Sequence, residues 1–508
     1  MTKHFDVIIV GLGPVGTLLT LLLNQAGIKV LGIDKDISIF PLPRAANIDD
    51  EGMRIMQRVN LESAYSDHFS NPSGAIFTDK NLNRLSGMDI PDDFYTGNGW
   101  LPTYFFWQPY ADKTIREFLL NSGATISLGT ELLSFSQNSE IVELNAYNSE
   151  SEKECKFTSR YLIGADGASS LVRKLCGIRL ESHGYDKDWI VVDVETNDDH
   201  DLGNYAIQVC DPDRMTTFIP FPKPFKRWEF LLLDDEDKHE MMKERKVREL
   251  IGPWLESEKY KVIRSASYRF HSVLAKNFQK EKVFLVGDSA HQGPPFMGQG
   301  MMSGYRDAIN LYWKLNFVLK KSFPENILKT YNVERRPHAQ FIVEGSAAIG
   351  KLMEAYSIGS RDDTIDEIPE EVINRGYGSF RIPGLEKGIL FNQSSCNNPL
   401  IGELFPQPIQ FHNTKIKERN DKILGDDFSI LSKIDINIKK RESIFLNKIN
   451  AKFIILKDKE IKENQWLSMF MQSSDTYIVR PDRYVFGATT KDISFSDLLT
   501  DLQSQLEV

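Results

Sequence analysis

The sequence predicts an α/β protein in which a parallel-sheet domain is interrupted by a mostly antiparallel sheet and followed by a smaller α/β domain. Three observations lead there. Phe5 to Val10 (FDVIIV) ends in an unbroken apolar run, as a central strand buried on both faces requires. Val283 to Leu315 opens on a second such strand and passes through an acidic turn and a Gly/Pro loop into a long amphipathic stretch. Between about residues 185 and 280 the chain reads as short alternating strands, among them Trp189 to Val194, Tyr205 to Cys210 and Trp228 to Leu233.

Taken in order, the first strand runs into Gly11-Leu12-Gly13-Pro14-Val15-Gly16. Thr17 to Ala26 follows with helical periodicity, and Lys29 to Ile33 (KVLGI) is a second strand ending at Asp34. This is the βαβ context that turns a glycine fingerprint into a Rossmann-like dinucleotide site. Gly11 permits the tight turn, Gly13 lets the backbone approach a pyrophosphate, and Gly16 lets helix and strand pack closely. Asp34 is placed to accept hydrogen bonds from a ribose.

Further along, Tyr161 to Gly164 (YLIG) runs into Ala165-Asp166-Gly167-Ala168-Ser169-Ser170. Val283 to Val286 runs into Gly287-Asp288-Ser289 and the loop Gly298-Gln299-Gly300-Met301. A strand, a glycine loop and a helix start form a site for an anion or a polar cofactor. With the opening fingerprint far upstream, this second cradle points to a flavin enzyme.

The 508 residues allow two to four domains with a substantial core. Residues 1–184 and 281–360 are expected to form the cofactor domain, with 185–280 as an inserted substrate-binding sheet. The stretch 361–394, richer in Gly, Pro, Asn and Asp, reads as a linker, and 395–508 as a separate α/β domain. A formal net charge of −10 argues against a nucleic-acid binder. Cys155, Cys176, Cys210 and Cys396 are far apart and form no CxxC, so neither a zinc ribbon nor a disulfide framework is expected, and no metal. No leader precedes the first strand and no apolar run reaches the length of a membrane span, which fits a cytoplasmic protein.

The glycine fingerprint, the Asp-Gly element in GADGASSLVRK and the Gly-Asp element in VGDSAHQGPPFMGQG, in that order, resemble those of the class A flavoprotein monooxygenases, the para-hydroxybenzoate hydroxylase-like superfamily. Pro43 to Glu51 (PRAANIDDE) is similar to the PRA-x-x-IDDE signature of the 3-(3-hydroxyphenyl)propionate hydroxylase subgroup. Gln108-Pro109, Trp189 to Asp193 and Cys210-Asp211-Pro212 also have counterparts there. Gly402 to Pro406 and Val479 to Asp482 resemble, more loosely, the thioredoxin-like carboxy-terminal domain of phenol hydroxylase relatives, here without CxxC.

The resemblance implies FAD as bound cofactor, with NADH or NADPH as a transient reductant; the subgroup favours NADH. O2 and a phenolic aromatic substrate complete the reaction, a 3-hydroxyphenylpropionate-like acid being the leading candidate. The same chemistry on a polyketide or antibiotic aromatic, and a flavin oxidase without oxygen insertion, stand as alternatives. Gly11, Gly13 and Gly16 would hold the pyrophosphate, with Asp34 and Lys35 at the adenosine ribose. Arg44 and Gln108 would contact the phosphate and ribityl portion. Asp166 would serve both FAD and the approach of the nicotinamide, and Asp288 would bind the ribityl chain. Pro295, Gly298, Gly300 and Met301 would lie beside the isoalloxazine. His291 and Pro295 are the candidate catalytic residues, with local packing around the cofactor as the competing role for His291. Ser289 stands where many relatives carry Ala and is expected to matter little.

Several other groups stand between two roles. Arg214, Tyr268, Arg269 and His271 either bind substrate or belong to an ordinary surface strand. The run Tyr104-Phe105-Phe106-Trp107 either walls a flat ligand or forms core. Asp234 to Asp237 reads as a solvated turn, and Arg335-Arg336 as a salt-bridging pair. A homodimer is the candidate assembly.

Overall fold

The first strand, Lys3–Val10, lies between Lys153–Gly164 and Val30–Ile33, parallel to both. It belongs to a computed structural model that describes residues 3–66, 68–198, 202–362, 382–391, 398–407, 409–412, 415–419 and 421–507. The sheet runs Gln279–Lys280, Val283–Leu285, Lys153–Gly164, Lys3–Val10, Val30–Ile33, Thr125–Ser127. An antiparallel hairpin, Thr130–Gln137 and Val142–Asn148, pairs onto Lys153–Gly164. Strands more than a hundred residues apart are thus neighbours. Burial on both faces explains why Val7 to Val10 carries no polar side chain. Helix Pro14–Gln25 packs between this sheet and helix Gly300–Lys320.

The second sheet has eight strands in the order His291–Gln292, Tyr260–Ala275, Leu180–Thr196, Phe225–Leu231, Thr216–Ile219, Tyr205–Val209, Gly74–Thr78, Arg84–Asp89. All its pairings are antiparallel except Tyr205–Val209 with Gly74–Thr78. The expected insertion at 185–280 therefore omits strands. Two come from residues 74–89 and one from 291–292, and the strand beginning at Leu180 starts earlier. Strands of two to six residues show too little alternation to announce their sheet.

Behind the second sheet, Ile190, Val192, Trp228 and Phe230 form a core closed by Val247, Ile251 and Leu255. On its other side the long helix Asn326–Asp362 sets Ile349, Leu352, Met353 and Tyr356 against Phe77, Trp189 and Met215. Within the expected linker, residues 363–381 and 392–394 lie outside the described residues. The described part is not loose: Leu385, Ile389, Leu390 and Phe391 are buried, and the Phe391 amide donates to Phe486 O (2.8 Å). Apolar residues within a Gly/Pro-rich run outweighed its composition.

The carboxy-terminal part is a four-stranded sheet in the order Lys452–Ile455, Ser429–Ser432, Thr476–Val479, Val485–Ala488. The first pair is parallel and the other two antiparallel. One apolar set, including Leu431, Phe470, Tyr477 and Val485, forms its own core. The other, including Phe428, Ile430, Ile478 and Phe486, joins the core around the parallel sheet, where Trp313 and Phe317 meet Phe428. Buried ions pin the junction. Glu334 pairs with Lys314 (2.7 Å) and Arg480 (2.7 Å), and Asp482 accepts from Arg480 and from Trp313 Nε1 (3.0 Å). Asp421 binds Arg54 (2.6 Å) and Arg483 (3.0 Å).

Candidate cofactor and substrate site

The glycine turn is tightly packed on two sides and open on the third. Gly11 sits at φ +96°, and a Cβ there would overlap the Ala165 carbonyl; one on Gly16 would overlap Gly11 O. A Cβ on Gly13 would meet nothing within 4 Å, so this backbone opens onto space. No side chain caps helix Pro14–Gln25 at Gly13, which leaves its first amides to an anion. Asp34 ends the second strand; its carboxylate accepts from Leu12 N (2.7 Å) and Asp36 N (2.9 Å). Asp34 and Lys35 both line a cavity of about 1590 Å³ that begins at this turn.

Arg44, Gln108, Asp166 and Asp288 line the same cavity. The Arg44 guanidinium lies over the Phe40 ring, 4.4 Å from its centre. Gln108 is largely committed to protein: Oε1 accepts from Arg44 N and Ala45 N (2.7 Å each), and Nε2 donates to Asp112 (3.0 Å). It fixes the backbone that carries Arg44. Burial pushes the Asp112 carboxyl up to about 7. Asp166 accepts from Ser170 Oγ (2.5 Å) and Val172 N (3.0 Å), so its carboxylate also braces the start of helix Leu171–Leu175. Asp288 is different. Among the described residues none donates to its carboxylate, which opens to the cavity; enclosure raises its pKa against the pull of His291 and Arg44.

Pro295, Gly298, Gly300 and Met301 form the cavity wall at the start of helix Gly300–Lys320. Gly298 is left-handed (φ +64°), and a Cβ there would overlap Asn47 Oδ1, whereas one on Gly300 would meet nothing within 4 Å. No side chain caps this helix either. Its first-turn amides and dipole therefore favour negative charge in front of them.

His291 stands elsewhere, which corrects its assignment as a catalytic residue. It is 3% exposed, does not line the cavity, and its Nε2 is bound to Asp307 Oδ2 at 2.7 Å. The local role is the one it fills. Ser289, expected to matter little, is buried; its Oγ donates to Gly164 O (2.6 Å) and accepts from Val286 N (3.1 Å), stitching the two cradle strands together. Arg335 is fully buried and pairs with Asp307 (2.9 Å). Arg214 pairs with Glu236 (2.5 Å), and Arg269 and His271 with Asp186 (2.8 and 3.0 Å). Of the four sheet candidates, Tyr268 alone faces the cavity. Of the aromatic run, Phe105 does, while Tyr104, Phe106 and Trp107 pack in the interior.

The opposite wall is the second sheet. Phe77, Ala206, Gln208, Thr217, Ile219, Arg227, Glu229 and Tyr268 point into the same space. Burial pushes the Glu229 carboxyl up to about 7, with Asp193 adding to the rise and Arg227 and Arg264 opposing it. Sequence reasoning missed Glu229, although Arg227 and Glu229 alternating with Trp228 and Phe230 is a visible two-residue period. It also gave no role to Asp50, which lines the cavity, accepts from Thr96 (2.5 Å) and Asn98 (2.8 Å), and is raised by burial and by Asp49 to about 6. A third arm of the cavity reaches Pro406, Trp466, Met469 and Phe470 of the carboxy-terminal part. Among the described residues there is no group of His, Cys, Asp and Glu able to hold a metal, and no helix long and apolar enough to cross a membrane.

Two uncapped helix starts, an acid ending the second strand, Arg44 and the open Asp288 suit FAD, and a volume above the ~300–1,000 Å³ of ordinary ligand pockets leaves room for a second molecule. The comparisons agree. Residues 4–346 match the family model described as FAD binding domain. The chain is 28% identical to the probable NADH-specific resorcinol 4-hydroxylase of Rhodococcus jostii, over 98% of this chain and 95% of the relative. It is also 28% identical to 3-(3-hydroxy-phenyl)propionate/3-hydroxycinnamic acid hydroxylase 2 of Burkholderia vietnamiensis, over 95% of this chain and 93% of that one. Among solved structures, aklavinone-11 hydroxylase with FAD and aklavinone superposes at a TM-score of 0.80, covering 100% of both chains at 20% identity. The chain belongs to the FAD-binding-domain family.

Proposed function

We propose that the chain hydroxylates a phenolic ring held against the second sheet, using FAD, O2 and NADH. One observation carries this: a single cavity joins the dinucleotide cradle to the polar and aromatic face of that sheet. Bound FAD, reduced by a nicotinamide, supplies activated oxygen there. The protein does the rest. Gly11, Gly13 and Gly16 with Asp34 and Lys35 hold the adenosine half; Arg44 and Asp288 hold the middle, with Gln108 and Asp166 bracing the backbone around them. Pro295, Gly298, Gly300 and Met301 present the flavin ring, and the helix start at Gly300 stabilises its negative charge. The opening glycine fingerprint is the one dinucleotide cradle in the sequence, which fits a nicotinamide that visits and leaves. The NADH-specific relative supports NADH.

In this reading residues 1–184 and 281–360 form the cofactor domain, with 74–89 lent to the substrate sheet. The segment from 395 is a thioredoxin-like unit that roofs the third arm of the cavity. A cytoplasmic location belongs to the same proposal.

The test is oxidation of NADH and NADPH by the FAD-loaded protein across neutral phenols, phenolic acids and larger aromatics, with product mass recorded. Oxidation stimulated by a phenol, with a gain of one oxygen, is expected. Peroxide as the sole product with every phenol would overturn hydroxylation in favour of an oxidase.

A further inference from the structure

The cavity face of the second sheet contains more charge than it can offer to a ligand. Asp193 accepts from Arg227 Nε (2.7 Å) and pairs with Arg264 (2.7 Å). Arg227 also donates to the carbonyls of Pro43 (2.7 Å) and Arg44 (3.1 Å). Arg264 also donates to Tyr268 OH (3.3 Å), and Thr217 Oγ1 donates to Gln208 Oε1 (2.6 Å). Although Arg264 Nε is a buried donor with no acceptor among the described residues, each of these side chains already has a partner.

Glu229 does not. It is 3% exposed and faces the cavity, yet among the described residues none donates a hydrogen bond to its carboxylate. The nearest cation, Arg227 Nη1, is 3.7 Å away, beyond hydrogen-bond range. Buried carboxylates are ordinarily surrounded by donors, because an unpaired one costs the desolvation of a charge. A buried acceptor that opens only onto a ligand cavity is matched by a donor on the ligand.

We propose that Glu229 receives the hydrogen bond, and then the proton, of a ring hydroxyl, and that it makes this pocket select an uncharged phenol over a phenolic acid. The assignment rests on the phenolic reading above and deepens it. In the step, the phenol O–H bond breaks, an O–H bond forms on Glu229, and the electron pair stays on the phenolate oxygen. One negative charge moves from protein to substrate, so the buried total is unchanged. The ring becomes electron-rich where an electrophilic oxygen must attack.

Selection follows from the same charges. A carboxylate bound here would put a second anion beside Glu229 while both neighbouring arginines are engaged by Asp193. The other cations lining the cavity have their own partners or belong to the cofactor cradle. Arg116 pairs with Asp34 (3.9 Å), Arg306 with Glu51 (2.5 Å), and Lys35 and Arg44 stand in the cofactor cradle.

The experiment binds resorcinol and 3-(3-hydroxyphenyl)propionate to the FAD-loaded full chain at pH 8. Affinity and the ultraviolet difference band of a phenolate are both recorded, for the wild type and for Glu229→Gln. Resorcinol is expected to bind at least about tenfold more tightly than the acid and to show the phenolate band. Glu229→Gln should abolish the band and narrow the preference to below about threefold, with the flavin spectrum unchanged. A wild type that binds the acid as well as resorcinol overturns the proposal, as does a variant that keeps the band. The wild-type preference decides even if the variant fails to hold FAD. If phenolic acids alone are hydroxylated, the proposal falls and the phenolic function stands; if no phenol binds or reacts, both fall.

Discussion

His291 Nε2 and Asp307 Oδ2 stand 2.7 Å apart behind the Gly287-Asp288 turn, with Asp307 also accepting from Gly287 N (3.0 Å) and Arg335 Nε (2.9 Å). Burial alone would raise the Asp307 carboxyl; His291 and Arg335 hold it below the usual range. The pair therefore positions the backbone that presents Asp288. His291→Ala should cost about 1–3 kcal/mol of stability and loosen FAD, because a buried acceptor loses a donor. Turnover per bound flavin, measured against pH, should keep its shape. A lost limb in that profile would return His291 to the reacting atoms.

Gly13 and Gly16 should fail differently. A Cβ on Gly16 meets the Gly11 carbonyl, so Gly16→Ala should lower the melting temperature of the apoprotein as well as FAD affinity. A Cβ on Gly13 meets no protein atom, so Gly13→Ala should leave the apoprotein's melting temperature unchanged while weakening FAD by more than about tenfold. Flavin fluorescence titration beside thermal unfolding separates the two.

At the junction with the carboxy-terminal part, Glu334→Gln would leave Lys314 and Arg480 buried with half their countercharge. A loss of about 3–5 kcal/mol in urea unfolding is expected, with early proteolysis near residue 400. Asp421 gives the pH signature. Burial raises its carboxyl, but Arg483 and Arg54 prevail and bring it down to about 2. A depressed pKa contributes stability that is present above the ordinary value near 4 and is lost as pH falls toward 2. Asp421→Asn should remove this acid-dependent step from the unfolding curve.

Glu229 runs the other way. With its carboxyl raised to about 7, stability present below its ordinary value is lost as pH rises from about 4.5 through 7. Glu229→Gln escapes that loss. At pH 8 the variant should be more stable by up to roughly 3 kcal/mol, with no gain at pH 4. Equal stability at pH 8 would mean that the carboxylate is better solvated than its surroundings suggest.

What the sequence made legible was local. Phe5 to Val10, the three glycines and Asp34 sit within one βαβ unit, so spacing alone places Val10, Gly11, Gly13 and Asp34 at the cavity, with Gly16 behind them. Asp166, Asp288 and the loop at Gly298 announced themselves by strand-then-glycine contexts of the same kind. Long-range pairing was not legible: Gly74–Thr78 joins Tyr205–Val209 across more than a hundred residues, and nothing in GAIFT names its partner. Side-chain direction was also hidden. His291 is a neighbour of Asp288 in sequence yet points to the other side of the turn, while Glu229 looked like one more strand charge until its face was known.

The parallel sheet is completed by Val283–Leu285 beside Lys153–Gly164, and helix Gly300–Lys320 then closes on Pro14–Gln25. On the ribosome, the fingerprint emerges early and waits through the whole of the second sheet before its cradle exists. Cofactor uptake thus reports on how far synthesis and folding have gone. A chain that stops short of residue 300 lacks the helix Gly300–Lys320 that closes on Pro14–Gln25, and with it half of the cradle.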